Sequence, residues 1–371
     1  FMTTSKKPLP VDITIGSDHV SSREASRGRI GNDPSHEESF TDMGVGLFIH
    51  WSLDSQLGSV ISHWMCGADE KIIDRFVREY PTLFNPREFV ADDWANLAKR
   101  SGMRYMMFTT KHHKGFCMYD TKTTDFNVVK TKFGRDIFGE MTEAFQAYDI
   151  VTGAYFSPLD FHWCRNEGKE LHFATPEVLP VNNPGLMAYN KEQLKEILLD
   201  YPGIEMVFFD GPPEGLREYA WEIRPDILVT RGEIKTPEQE IPDDILPSPW
   251  EACFTLGCQW NYKATNEAYM SGTELINQVI EIRAKGGNAL MNVTADPLGR
   301  IPVEQQRLLE EFGLFMFFNQ EAIYDVRPWK VCREGDIWFT KAKDAPTVYA
   351  FITNDPWPLG ERREITLKNV R

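Results

Sequence analysis

Residues 206–213 read MVFFDGPP. Four apolar residues run into Asp210, and Gly-Pro-Pro turns the chain behind it. An Asp in such a place opens a turn or caps a helix in many proteins. In a parallel barrel it is also where a strand delivers a functional group, at its C-terminal end. The rest of the chain decides between the two. Short apolar runs recur at 45–51 (VGLFIHW), 104–110, 150–157, 204–210, 226–231, 250–257 and 288–293, with the texture of buried strands. Helical patterns lie between most of them, clearest over 92–101, 136–149, 187–200, 272–285 and 302–318, with Asp92 and Thr273 at expected N-caps and Pro302 in a first turn. Strands alternating with helices imply parallel βα units. About seven over roughly 280 residues predict an α/β fold, a TIM-like (β/α) barrel of regular or irregular form.

Around this barrel, predicted over 41–328, residues 1–40 are polar and read as an N-terminal arm. From 329 to 371 the runs DIWFTKA, TVYAFIT and REITLKNV predict a small β-rich, sandwich-like domain, short of a full one. The net charge of −15 offers no basic stripe, which argues against nucleic-acid or anionic-membrane partners. No apolar run is long enough to span a bilayer. FMTTSKKPLP shows no signal peptide, which fits a periplasmic or secreted protein as well as a cytoplasmic one. The six cysteines form no Cys-x-x-Cys pair and predict buried thiols rather than a zinc or redox site. No Gly-x-Gly-x-x-Gly follows the first strand and no Gly-x-Ser-x-Gly occurs, so no cofactor is expected.

The polar residues that punctuate the runs are His50 and Trp51; Lys111, His112 and His113; Asp160 and His162; Asp210; Arg231; Glu251; and Asn292. At the strand ends of a barrel they converge on one mouth. Asp210 and Glu251 form the natural carboxylate pair for cleaving a glycosidic bond, one to attack and one to protonate the leaving oxygen. Desolvation beside Trp250 would favour a protonated Glu251. Adjacent His112 and His113 point to opposite faces of a strand, a poor arrangement for one metal ion, so no metal is expected. Tryptophans and tyrosines near the strand ends, among them Trp64, Tyr155 and Trp260, would pack on the C–H faces of a sugar.

These blocks resemble glycoside hydrolase family 29, the retaining α-L-fucosidases. GLFIHWSLDS (46–55) is similar to the family's first-strand block. The stretch from Phe84 to Thr131, through KHHKGF, matches the family almost throughout. VFFDG, TPEQEIP, PWEACFTLGCQWNY and GGNALMNVTADPLGRIP follow in the family's order. The resemblance implies Asp210 as nucleophile and Glu251 as acid/base. It also implies a pocket of His50, Trp51, His63, Trp64, His112, His113, Lys114, Tyr155, Arg231 and Trp260, with a fucosylated or related glycan as substrate and oligomeric state left open. Three positions depart from the family pattern: His63 stands for a Glu, Lys114 for an Asp, and Ser52 for a Gly. The first two suggest a shifted preference, toward an α-L-galactoside or a sulfated marine glycan, or else lie one shell from the ligand. A barrel that binds glycans without chemistry is the alternative from another class.

Overall fold

The computed structural model describes residues 31–58, 65–172, 175–353, 357–358 and 360–370. Helix α1 (Pro34–Met43) precedes β1 (Val45–His50). Helices α2 (Glu70–Arg78), α3 (Tyr80–Leu83) and α4 (Ala91–Arg100) lead to β2 (Tyr105–Lys111), and α5 (Ile137–Ala147) leads to β3 (Val151–Phe156). Next come α6 (Phe161–Asn166), α7 (Pro184–Asp200), β4 (Ile204–Phe209), α8 (Arg217–Ile223) and the short β5 (Leu228–Val229). The series closes with β6 (Glu251–Thr255), α9 (Gly272–Ala284), β7 (Asn288–Thr294) and α10 (Val303–Asn319).

The seven strands form one curled parallel sheet in the order β5-β4-β3-β2-β1-β7-β6. Its edges, β5 and β6, are consecutive in the chain, and residues 231–239 run between them. This segment is bridged once within itself, Arg231 to Ile234, and touches the β6 side through single bridges, Lys235 to Trp250 and Glu238 to Cys253. It contains Pro237, which has no N–H to give to a ladder, so a regular strand cannot form there. Both faces of β1, β2, β6 and β7 are buried, as expected where helices cover the outside and side chains fill the inside.

Alternation along the strands sorts side chains into an interior column and an outer layer. Phe48, Met107, Met206, Phe208, Leu228, Cys253 and Leu290 fill the interior. Ile49, Phe108, Phe156 and Val207 face the helices. At the N-terminal end of the strands, Phe40 of α1 closes the barrel from below, its carbonyl accepting from Asn288 Nδ2 (2.6 Å). Gly46 is required here: a Cβ would stand 2.3 Å from the Tyr105 ring, which lies across the barrel floor.

The arm predicted over 1–40 is revised where it is described, since α1 starts at Pro34, capped by Asp33. The N-caps of α4 and α9 are Val90 and Ser271 rather than Asp92 and Thr273, and Ser271 forms a capping box with Glu274. The C-terminal residues form an antiparallel sheet of β8 (Val326–Glu334), β9 (Ile337–Ala342) and β10 (Val348–Ile352). It packs on α9 through Trp338 against Ile280 and Ala284. The expected boundary at 328/329 falls inside β8. The run REITLKNV forms no strand; Asn369 in it is tied to Glu334 instead.

Candidate active site

Asp210 follows the last residue of β4, and its N–H bonds to the Phe156 carbonyl (3.0 Å), so the sheet itself aims the side chain into the mouth. Gly211 then takes φ +132°, a conformation that L side chains rarely adopt, and a Cβ there would stand 2.9 Å from Leu159. The turn in the FFDGPP run thus depends on glycine directly after the carboxylate.

Three groups hold that carboxylate. Tyr155 donates its hydroxyl to Oδ2, His113 Nε2 lies 3.3 Å from Oδ2, and Arg231 Nη1 lies 3.3 Å from Oδ1. The Asp210 side chain keeps 21% exposure, so one face stays open. Burial alone would raise its pKa. The charges of His113 and Arg231, with His112 and the Tyr155 hydroxyl, outweigh burial and hold the carboxyl well below the usual range. Tyr155 is pushed far up by burial and by Asp210, so it stays a donor. Ser157 lies 2.5 Å from His113 Nδ1 and also gives its hydroxyl to the Leu159 carbonyl (2.9 Å). With Ser157 so engaged, His113 Nδ1 carries a proton. Its Nε2 is then attracted to Asp210 by a proton shared between them, where two lone pairs would repel.

His50 supplies a second wall. Asn292 Nδ2 donates to the Trp260 carbonyl (2.8 Å), so its oxygen accepts from His50 Nδ1 (2.7 Å) and leaves His50 Nε2 as an acceptor. Burial, with the neighbouring His112, pushes His50 down to about 3, so the ring is neutral. Its ring lies 5.0 Å from Trp260, 5.5 Å from Tyr155 and 5.9 Å from His112. His50, His112, His113, Tyr155, Asp210, Arg231, Asn292 and Trp260 therefore share one place, as the strand-end pattern predicts.

Other expected members lie elsewhere. Trp51 is one residue past the inward-facing His50, so parity turns it outward, where it stacks on Trp94 (5.8 Å, 2° between planes) with 1% exposure. Lys111 is likewise outside the mouth, bonded to Asn190 (2.7 Å) and Gln193 (2.8 Å) of α7. Asp160 caps α6, and His162 packs on Phe126. Lys114 is fully buried against Asp54, and its charge reaches the mouth only as a minor downward influence on His50. His63 and Trp64 lie outside the described residues.

Glu251 is corrected as well. It opens β6, in register with Asn288 at the start of β7, whereas Asp210 follows the end of β4. In a parallel barrel those are opposite ends. Glu251 Oε2 accepts from Tyr105, the first residue of β2 (2.5 Å), on the barrel floor with no exposure. Burial, partly opposed by the Tyr105 bond and Arg231, pushes its pKa from 4.5 up to about 7. A folded-state pKa raised in this way gives stability that is full below about 4.5 and lost as pH rises through 7. The full loss is roughly 3 kcal/mol. Glu251→Gln keeps an acceptor for Tyr105 and has no proton to lose. Its melting temperature should match the parent near pH 4.5 and exceed it by a few degrees at pH 8, with turnover nearly unchanged. A constant difference across that range in thermal melts would overturn the assignment.

Two carboxylates were missed, one beside Arg231 and one on a loop past the C-terminal end of a strand. Glu238, on the closing segment, bonds Arg231 (3.0 Å), so one guanidinium holds both Glu238 and Asp210. Glu267 lies on the loop after the C-terminal end of β6. Its side chain is 8% exposed, it accepts from the Cys258 N–H, and Lys263 Nζ stands 3.7 Å away. Its Oε2 has no hydrogen-bond partner among the described residues. The available signal was position: in the run 250–257, Glu251 comes at the start, while Glu267 follows the end.

His112 and His113 do not point to opposite faces as expected, because β2 ends at Lys111 and the pair lies in the turn beyond it; among the described residues, they and Asp210 bring three potential metal-ligand atoms within 4.8 Å. His112 Nδ1, however, accepts from the His113 N–H (2.9 Å), so neutral His112 carries its proton on Nε2 and has no second lone pair to give. Imidazoles and a carboxylate so bonded can also hold sugar hydroxyl groups.

A barrel mouth with an ionised carboxylate held among imidazoles, a tyrosine and an arginine defines the class of barrel glycoside hydrolases. A family model described as Alpha-L-fucosidase matches residues 22–321. The chain is 29% identical over 367 residues to the alpha-L-fucosidase of Dictyostelium discoideum, covering 85% of this chain and 78% of that protein. It is 28% identical over 367 residues to the plasma alpha-L-fucosidase of Rattus norvegicus, covering 86% and 77%. The solved alpha-L-fucosidase isoenzyme 1 from Paenibacillus thiaminolyticus superposes with a TM-score of 0.72 at 26% identity, over 82% of this chain and 80% of that one. A GH29 alpha-L-fucosidase from Bacteroides thetaiotaomicron shares the fold, with a TM-score of 0.77 at 24% identity over 89% and 85%. The chain belongs to the alpha-L-fucosidase family, glycoside hydrolase family 29.

Proposed function

We propose that this glycoside hydrolase removes terminal α-L-fucosyl residues from oligosaccharides or polysaccharides by double displacement, with Asp210 as nucleophile and Glu267 as acid/base. One observation carries the proposal: a carboxylate at the C-terminal end of a barrel strand, kept ionised by Arg231, His113 and Tyr155, with one face open. Attack by Asp210 on the anomeric carbon forms a glycosyl ester as the bond to the leaving oxygen breaks, and a second carboxyl group gives that oxygen its proton. The same group then takes a proton from the water that hydrolyses the ester. Glu267 suits this role because it shares the mouth face of the barrel with Asp210. Glu238 suits it less, since it is engaged by the same Arg231 that holds Asp210. His50 Nε2 accepts from a sugar hydroxyl and His112 Nε2 donates to one. Trp260, beside His50, offers a face to the ring.

Proton NMR during hydrolysis of an aryl α-L-fucoside tests the proposal. The first-formed fucose should be the α-anomer, with mutarotation following. First-formed β-fucose would exclude double displacement. No turnover of any fucoside, with α-L-galactosides or sulfated fucosides cleaved instead, would keep the mechanism and replace the substrate.

A further inference from the structure

We infer that Lys114 and Asp54 form a buried strut that sets the position of the β6–α9 loop, and with it Trp260 and Glu267, over the mouth. The inference rests on the assignment of Glu267 above. Lys114 follows the His112–His113 pair in the turn after β2, and Asp54 lies in the turn after β1; both side chains are fully buried and paired. Asn261 reaches in from the β6–α9 loop and donates to Asp54 Oδ2 (3.3 Å). Three mouth loops therefore meet at one carboxylate.

The β6–α9 loop is built to transmit this anchor. Its ends are tied together, since Glu267 accepts from the Cys258 N–H and Cys258 Sγ lies 3.4 Å from the Ala268 carbonyl. Its middle is held at two adjacent residues, Asn261 on Asp54 and the Trp260 carbonyl on Asn292. The β1 turn also runs directly against it, since a Cβ on Gly58 would stand 3.1 Å from Ala264. Moving the Asn261 anchor moves a closed loop as a unit, and Glu267 with it.

The chemistry of the pair supports positioning over simple stabilisation. Two charges taken out of water recover little net stability from each other, so a buried ion pair is better explained by the register it imposes. Burial draws the Lys114 ammonium down to about 7, and its side chain is enclosed against Asp54. A side chain so enclosed cannot reach a sulfate on the substrate. Lys114 is therefore a positioning residue, acting through Asp54 and Asn261.

The test compares two substrates: a fucosyl disaccharide, whose leaving alcohol needs a proton, and a dinitrophenyl fucoside, whose leaving group does not. Lys114→Met alone strands the Asp54 charge and is expected to fold poorly. The variants are therefore Asn261→Ala and the double change Lys114→Met with Asp54→Asn. For both, kcat on the disaccharide should fall about 10- to 100-fold with KM little changed, as for a catalytic group displaced by an ångström or less. Turnover of the dinitrophenyl fucoside should change far less. Equal losses on both substrates, or no loss, would overturn the strut. So would an effect confined to KM for sulfated fucosides, which would return Lys114 to substrate contact. If the double variant does not fold, Asn261→Ala decides. Glu267→Gln is run alongside: if it shows no difference between the substrates, the assignment of Glu267 fails. If it does while Asn261→Ala treats both alike, only the strut fails.

Discussion

Asp210→Asn should lower kcat/KM for any α-L-fucoside by about 10⁴-fold or more, some 5 kcal/mol of transition-state stabilisation. The amide is nearly the same size, but it lacks the charge that attacks the anomeric carbon. The variant should still fold, because Arg231 keeps its bond to Glu238 (3.0 Å) and His113 its contact with Ser157. Binding should survive too, since His50, His112 and Trp260 are untouched. The checks are steady-state kinetics, calorimetric binding of fucose and a melting curve. Retention of a tenth of parental turnover would remove Asp210 from the mechanism. Loss of folding along with activity would leave the calorimetry silent, and azide then decides. With Asp210→Gly, azide should restore turnover of an activated fucoside and yield the inverted fucosyl azide.

Glu267→Gln should lower kcat on a fucosyl disaccharide by about 10²- to 10⁴-fold, the range for a lost general acid. The loss should shrink on aryl fucosides whose leaving groups depart without a proton. The same comparison on Glu251→Gln and Glu238→Gln separates the three carboxylates. Glu251→Gln should behave like the parent, because its carboxyl lies on the barrel floor beside Tyr105. Glu238→Gln should impair both substrates alike, because it releases Arg231 from one of two partners and so changes how Asp210 is held. A leaving-group effect in Glu251→Gln and none in Glu267→Gln would reverse the correction made above.

Asp210 and Glu251 teach opposite lessons about reading the chain. For Asp210 the local pattern, together with the repeat of strands around it, sufficed. An apolar run, an acid and a glycine mark a strand that ends by exposing a carboxylate, and Gly211 has the backbone angle such a turn demands. For Glu251 the residue type, the neighbouring Trp250 and the raised pKa all suggested an acid/base. Each follows equally from a carboxyl sealed in the core. Direction along the strand separates the cases, because parallel strands send their first residues to one end of the barrel and their last to the other. Trp51 shows the same for facing: its neighbour His50 is in the mouth, and a strand's period of two sends the next residue outward.

The sequence by itself determined the barrel and the gathering of His50, His112, His113, Asp210 and Arg231 at one mouth, though the same strand-end pattern also put Trp51, Lys111 and Glu251 there. Each of these is set by periodicity and by position at a strand's end, which are local properties of the chain. Only the tertiary structure decided that Glu251 belongs to the floor, that Lys114 is spent on Asp54, and that Glu238 and Asp210 share Arg231. Those outcomes depend on which loops meet across the barrel. Contacts such as Asp54 with Lys114, 60 positions on, and with Asn261, 207 positions on, are fixed by the curl of the sheet, which no local pattern encodes.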